Sequence, residues 1–231
     1  MIPKEDDPME FISIFDVIGP NMIGPSSSHT AGAASMAQLA RRIFKPSDPA
    51  FVRFTLYGSF AKTYKGHGTD KALLGGIMGF SPDDERIRDS FKIAEETGFN
   101  YEFVIDEETE TPHSNTADIF MDDGNGYTFE VRGVSVGGGK IKLTKFNGID
   151  VDFTGEYSAV IVRQIDRPGV AAHITKHLAE ANVNIAFMDL FREHKGETAY
   201  TVIQSDEKIP ESVVDKIKEL DLIENVKVVQ L

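Results

Sequence analysis

"SAVIVRQIDRPGVAAHITKHLAEANVNI", residues 158–185, changes its hydrophobic period twice, and that change decides the fold of the second half of the chain. Ala159–Ile165, with Val160 and Val162 inside an almost continuous apolar run, reads as a buried strand. Asp166-Arg167-Pro168-Gly169 stops it, and the reading places Pro168 in the first turn of a following helix. Val170, Ile174, Leu178 and Ala181 then line one helical face. Asn182-Val183-Asn184 turns the chain into a strand over Ile185–Arg192, and "HKGE" (194–197) makes a hairpin into Ala199–Gln204. Val213, Val214, Ile217 and Leu220 predict a second amphipathic helix over 210–220, and Val226–Val229 a last strand. The order βαββαβ is the ferredoxin-like arrangement.

Working back from there, "FNGIDVDFTGEYS" (146–158) reads as the boundary between two units, 1–152 and 153–231. The first unit mixes helices and strands less regularly, so the fold class is α+β with an α/β first domain. Ala33, Ala37, Ala40 and Phe44 mark one side of a helix from Thr30 to Phe44. Val52, Phe54 and Leu56 alternate with polar neighbours, a half-buried strand. "TDKALLGGIMGF" (69–80) reads as a helix weakened by Gly75 and Gly76. Ser81 and Pro82 open another, with Ile87, Phe91 and Ala94 on one face and Gly98 at its stop. Residues 99–105 read as a strand. "DDGNG" (122–126) between Ile119–Met121 and Tyr127–Val136 is a hairpin signal, and Gly137-Gly138-Gly139 separates that strand from Ile141–Phe146.

Bulk chemistry removes several classes. A formal net charge of -13, with no basic cluster in either half, repels a phosphate backbone and excludes nucleic acid as a partner. No apolar run is long enough to span a membrane. The acidic opening "MIPKEDDPMEF" does not resemble a signal peptide, so a cytoplasmic location is expected. The chain has no cysteine, which excludes disulfides, thiol nucleophiles and any thiolate-ligated cluster built from it alone.

Three polar clusters remain. Ser26-Ser27-Ser28-His29-Thr30 precedes the first helix; "KGHGTD" holds His67, Gly68, Thr69 and Asp70; "TPHSNT" holds His113, Ser114, Asn115 and Thr116. Free N–H groups at a helix start favour an anion, so a carboxylate or phosphate could rest there. Each cluster also has a plainer reading. Ser27 or Ser28 could simply cap a helix, Thr69 could cap residues 70–80 with Asp70 as a first-turn charge, and Asn115 could support a turn. Three histidine-bearing clusters in one half of the chain make capping alone an incomplete account. "HITKH" puts His173 and His177 one helical turn apart, but Ile174 stands where a zinc-protease motif needs Glu, so a solvated or half-buried pair is expected rather than a metal site. "GGGK" (137–140) lacks the spacing of a phosphate loop, and no GxSxG elbow occurs.

"IGPSSSHTAGA", "GHGTD", "GGIMGF" and "HSNT", in that order and followed by "DRPGVAAHITKHLAEANVNI", resemble the beta subunit of the bacterial iron–sulfur-dependent L-serine dehydratase. The likeness covers essentially the whole chain, and its C-terminal part is similar to an ACT domain. Family members often have Pro at the second position of the third cluster; here it is Ser114. The resemblance implies conversion of L-serine to pyruvate and ammonia through a 4Fe-4S cluster. With no cysteine here, the cluster's ligands are expected from a separate alpha subunit, and no metal ligand from this chain. It also implies that Ser26, Ser27, Ser28, His29 and Thr30 hold the substrate carboxylate, with Gly68, Thr69, His113, Asn115 and Thr116 completing the wall. His29, His67 and Asp70 become the catalytic candidates, with the proton-abstracting base unassigned. The ACT-like module implies self-association and an amino-acid site built from Asp166, Arg167, Pro168, Gly169 and Val170 with Asn184 of a second copy. The competing reading is a non-catalytic amino-acid- or anion-binding regulatory protein.

Overall fold

The computed structural model describes residues 21–45, 48–192 and 194–230. The acidic opening stretch lies outside them. No helix of the described residues is long and apolar enough to cross a membrane.

The first element of the described residues is a π turn, Ser27–Ala31, that runs into helix α1 (Gly32–Phe44). Strand β1 (Phe51–Tyr57), helices α2 (Gly58–His67) and α3 (Thr69–Ile77), a 3₁₀ turn (Glu85–Asp89) and α4 (Ser90–Thr97) follow. Strands β2 (Asn100–Asp106), β3 (Asn115–Asp122), β4 (Thr128–Gly137), β5 (Lys140–Phe146) and β6 (Ile149–Phe153) complete the first unit. They form one sheet in the order β2-β1-β3-β4-β5-β6, in which β1 and β2 run parallel and the other neighbours antiparallel. Helices α1 and α2 pack on this sheet, contributing Met36, Phe44 and Phe60 to the same core as Phe54, Ile119 and Val131, and α3 packs on α1. Burying each such side chain is worth about 1.5–3 kcal/mol.

The alanines of α1 do more than mark its apolar side. They let α3 approach until a Cβ on Gly76 would stand 2.3 Å from the Ala34 carbonyl oxygen and 3.0 Å from Ala37 Cβ. Small residues here fix how close the two helices lie.

The second unit reads β7 (Ser158–Ile165), α5 (Val170–Glu180), β8 (Phe187–Arg192), β9 (Thr198–Ser205), α6 (Glu211–Lys218) and β10 (Ile223–Val229), with sheet order β10-β7-β9-β8. This is the ferredoxin-like order expected from the periodicity, and with the first unit it makes an α+β protein. Val160, Val162 and Ile203 pack under α5 and α6. The opposite face, with Ala159, Ile161, Tyr200 and Val202, joins the core of the first unit. Covering both faces explains why the sequence of β7 is continuously apolar rather than alternating. Tyr200 lies 5.6 Å from Phe146, ring to ring, and its hydroxyl accepts from Asn147 Nδ2 at 2.8 Å. Lys227 donates to the Phe44 and Lys45 carbonyls at 3.1 and 2.8 Å, tying β10 to the end of α1. Burial brings its ammonium pKa down to about 8.

Four local expectations change. Residues 58–67, to which no element was assigned above, are helical, because Gly58 supplies the left-handed φ of 54° that starts the turn and Phe60 and Ala61 are buried. The helix expected from Ser81 begins only at Ser90; Asp84 accepts from Arg86 N at 2.9 Å and holds residues 85–89 in a 3₁₀ turn. The stretch read as a boundary contains β6, reached by a tight turn in which Asn147 and Gly148 both take positive φ, 47° and 84°. That pair of conformations belongs to an Asn-Gly hairpin turn. Pro168 lies in the turn before α5, and Gly169, at φ 94°, is the residue that precedes the helix.

Candidate functional site

The site grows from the π turn. Ser26 is extended, and its hydroxyl accepts from His29 N at 3.1 Å, so the cap is Ser26 rather than Ser27 or Ser28. Its carbonyl also takes the Thr30 and Ala31 N–H groups, at 2.9 and 3.4 Å. The wider turn places His29 and Thr30 before the regular helix begins, with Ser27 and Ser28 half-buried between Ser26 and His29. Single π turns of this kind recur at functional sites.

The structure brings the first two clusters into contact. The His29 and His67 rings meet edge to face with centroids 4.7 Å apart, and Thr30 Oγ1 donates to the His67 carbonyl at 2.9 Å. His29 Nε2 lies 3.0 Å from Ser59 Oγ and its Nδ1 3.4 Å from Ser26 Oγ. Burial first, and the neighbouring His67 second, hold the His29 pKa below its ordinary value, so its imidazole is neutral at pH 7.

The third cluster joins through Ser59, which sequence reasoning missed. Ser59 N donates to the Ser114 carbonyl at 2.7 Å, and Gly58 bridges Asn115. Only glycine fits there, since a Cβ would sit 2.6 Å from the Ser114 carbonyl oxygen at a left-handed φ. His113 Nδ1 accepts from Asn115 N at 3.1 Å, which makes Nε2 the protonated nitrogen of its neutral ring. The Thr116 hydroxyl donates to the His113 carbonyl at 2.5 Å, so it holds the turn and is already engaged. A second residue absent from the sequence reading is Ser135 on β4, buried against Gly32 at the start of α1. Nothing in the flanking residues of Ser59 or Ser135 sets them apart; their positions come from strand pairing and helix docking.

Unmet hydrogen-bonding capacity is concentrated here. His67 Nδ1, Thr69 Oγ1, Asn115 Oδ1 and Ser135 Oγ are buried without a hydrogen-bond partner. Thr69 is the first residue of α3, with Gly68 preceding it in the left-handed conformation, and its hydroxyl makes no cap. A buried polar atom left unpaired costs roughly 1–3 kcal/mol, which a polar ligand can repay. Asp70 is engaged with its own helix, accepting from Lys71 N at 2.8 Å, and burial raises its carboxyl pKa. It meets neither imidazole through a hydrogen bond among the described residues.

The second unit holds the other expected site. Asp166 is paired with Arg192 Nη1 at 2.5 Å and accepts from Gly196 N at 3.2 Å, and these hold its carboxyl below the usual range. Arg167, Pro168 and Gly169 are exposed, and Val170 is buried at the start of α5. Asn184 is exposed, with its N–H on Glu207 at 3.1 Å. His173 Nε2 lies 3.2 and 3.1 Å from the Lys216 and Ile217 carbonyls near the end of α6, and His177 faces Glu180 at 3.1 Å. This is a half-buried pair serving helix termini.

Fold and site together define an α+β protein that gathers imidazoles and hydroxyls at a helix start and carries a ferredoxin-like module behind them. A family model described as "Serine dehydratase beta chain" matches residues 13–145, and one described as "ACT domain" matches residues 158–222. The chain belongs to the serine dehydratase beta chain family. It is 42% identical over 212 residues to the probable L-serine dehydratase, beta chain, of Bacillus subtilis (strain 168), covering 92% of this chain and 95% of that one. It is 38% identical over 219 residues to the L-serine dehydratase, beta chain, of Peptoniphilus asaccharolyticus, covering 95% and 98%. The L-serine dehydratase of Streptomyces coelicolor shares 45% identity over 75 residues, 31% of this chain and 16% of that protein.

Proposed function

We propose that this chain is the cysteine-free half of an L-serine ammonia-lyase, completing its active site with a cysteine-bearing alpha subunit. The observation that carries the reading is the cluster around the His29–His67 ring contact, where neutral hydrogen-bonding groups converge and several lack protein partners. Overall, L-serine loses water, and the enamine that results hydrolyses to pyruvate and ammonia. The hydroxyls of Ser26–Ser28 would take the substrate carboxylate, and His29, neutral at neutral pH, would hold or pass a proton at Nε2 or Nδ1. The residues of this chain do not fit an iron–sulfur cluster: it has no cysteine, and among the described residues no group of three or more His, Cys, Asp or Glu could hold a metal ion. The 4Fe-4S cluster of our reading therefore belongs to the partner, and a cytoplasmic location suits such a cluster. The test is anaerobic co-purification with that subunit and measurement of serine-dependent pyruvate. Turnover of serine by this chain alone in metal-free buffer would overturn it.

We assign self-association to the ACT module. Strand β8 is the edge of its sheet and exposes Phe187, Met188 and Leu190, of which Phe187 is 51% exposed. An apolar open edge is a pairing surface unless covered. Lysine at both Phe187 and Leu190 is expected to shift the full chain to a smaller species in sedimentation velocity. An unchanged distribution removes β8 from the interface. The exposed turn Arg167-Pro168-Gly169, with the partner copy's Asn184, then forms the amino-acid site.

A further inference from the structure

Beside the imidazole pair lies a cleft of about 310 Å³. Its walls come from three elements: the loop at Ile23-Gly24-Pro25, the α2–α3 junction with Lys65 and Lys71, and the 3₁₀ turn with Arg88. Those three cations line it, and among the described residues no carboxylate does, in a chain whose net charge is -13. The walls are fixed. Ile23 N donates to the Pro82 carbonyl at 2.8 Å. Gly24, at φ 139°, lies so close to Thr30 that a Cβ would stand 2.4 Å from Cγ2. Thr30 in turn holds the His67 carbonyl.

Three like charges around one cavity repel one another unless something negative lies between them. Asp70 is close enough for Lys71 and Lys65 to pull its pKa down, but it does not line the cleft and its carboxyl is shifted upward overall. The positive excess is poorly matched to L-serine, whose ammonium group would enter the same field as its carboxylate. A ligand with two negative charges and several acceptor oxygens fits both the charge and the donors; Arg offers a fork and Lys a point charge to phosphate oxygens.

We propose that this cleft is a second ligand site, for a small dianion of the phosphate or phosphate-monoester class, distinct from the position that holds serine. Thr30 and His67 border both sites, so an anion in the cleft touches the residues that set the His29–His67 contact. Such a site makes the chain a sensor of a phosphorylated metabolite or of phosphate itself.

The experiment is isothermal titration of the full chain with inorganic phosphate, and separately with O-phospho-L-serine, at fixed ionic strength so that screening is constant. Saturable binding is expected, and saturating L-serine should shift its affinity by a limited factor without abolishing it, as two coupled but separate sites require. In the double variant Lys71→Gln/Arg88→Gln it should weaken about tenfold or more. Lys62→Gln/Lys208→Gln, which removes the same charge at exposed positions outside the cleft, should bind as the parent does. Tighter binding of the phosphoserine identifies a monoester as the ligand, equal or weaker binding identifies free phosphate, and either supports the site. Absence of saturable binding, or equal weakening in both variants, overturns it. Competitive displacement by L-serine also overturns it, while leaving the dehydratase reading in place; failure of that reading would show in pyruvate formation and not in this titration.

Discussion

Replacing His29 with alanine in the reconstituted complex is expected to lower serine-dependent pyruvate formation by about 10²–10⁴-fold, the range for losing a group that moves a proton. The imidazole is half-buried and held by four neighbours. Ser59 and Ser26 flank its nitrogens at 3.0 and 3.4 Å, and Phe60 and His67 pack on its ring at 5.3 and 4.7 Å. Alanine leaves Ser59 without that partner and opens the contact with His67. Turnover and KM close to those of the parent would take His29 out of the site. The pH dependence has a definite sign. Burial depresses the folded-state pKa below the ordinary 6.5. The unfolded chain then binds more protons than the folded one between the two values. The stabilisation from the neutral ring is complete above the unfolded value and is lost as pH falls through the folded one. Activity should follow an acid limb below pH 6.5 in the parent, and the stability of His29→Ala should lose the matching part of its acid dependence.

Gly76→Ala is expected to destabilise the chain by about 2 kcal/mol or more, read as a fall in the urea midpoint at unchanged slope. Helix propensity alone predicts the opposite, a gain of up to about 1 kcal/mol for Gly→Ala in a helix. Sterics decide against it, because the new methyl would stand 2.3 Å from the Ala34 carbonyl oxygen. That atom is helix backbone and cannot swing aside, so α1 and α3 must separate, and α1 carries the π turn on its N-terminal end. Gly66→Ala is the contrasting case. Gly66 is helical, has no left-handed φ, and a Cβ there meets nothing within 4 Å. It should stabilise by about 0.5–1 kcal/mol. A stable Gly76→Ala would mean that the two helices do not meet as closely as described.

Legibility along the chain followed the range of the interactions involved. β7, α5, β9 and α6 announced themselves because each carries its own apolar run or helical stripe, a local pattern, and their bounds follow Ala159–Ile165, Val170–Leu178 and Val213–Ile217 closely. Helix α2 did not, since only Phe60 and Ala61 of its residues are fully buried and its weak apolar stripe gains meaning from the strands beneath it. Strand β6 was missed although Asn147-Gly148 carried the signal, because the stretch was read as a boundary. The polar clusters were legible as residue types; their meeting was not. His29 and His67 are 38 positions apart, and Ser59 reaches Ser114 across the junction of β1 and β3.

Composition and periodicity alone determined that this chain folds as α+β, ends in a ferredoxin-like module and holds no thiolate for a metal cluster. Those are local or countable properties, fixed before any long-range contact forms. Only the tertiary structure decided that Ser26 is the cap, that Ser59 stands against His29, that Asp70 is turned to its own helix, and that Lys65, Lys71 and Arg88 surround one cleft. Each of these depends on how closely separate helices and strands approach, and that distance is set by packing across the whole core.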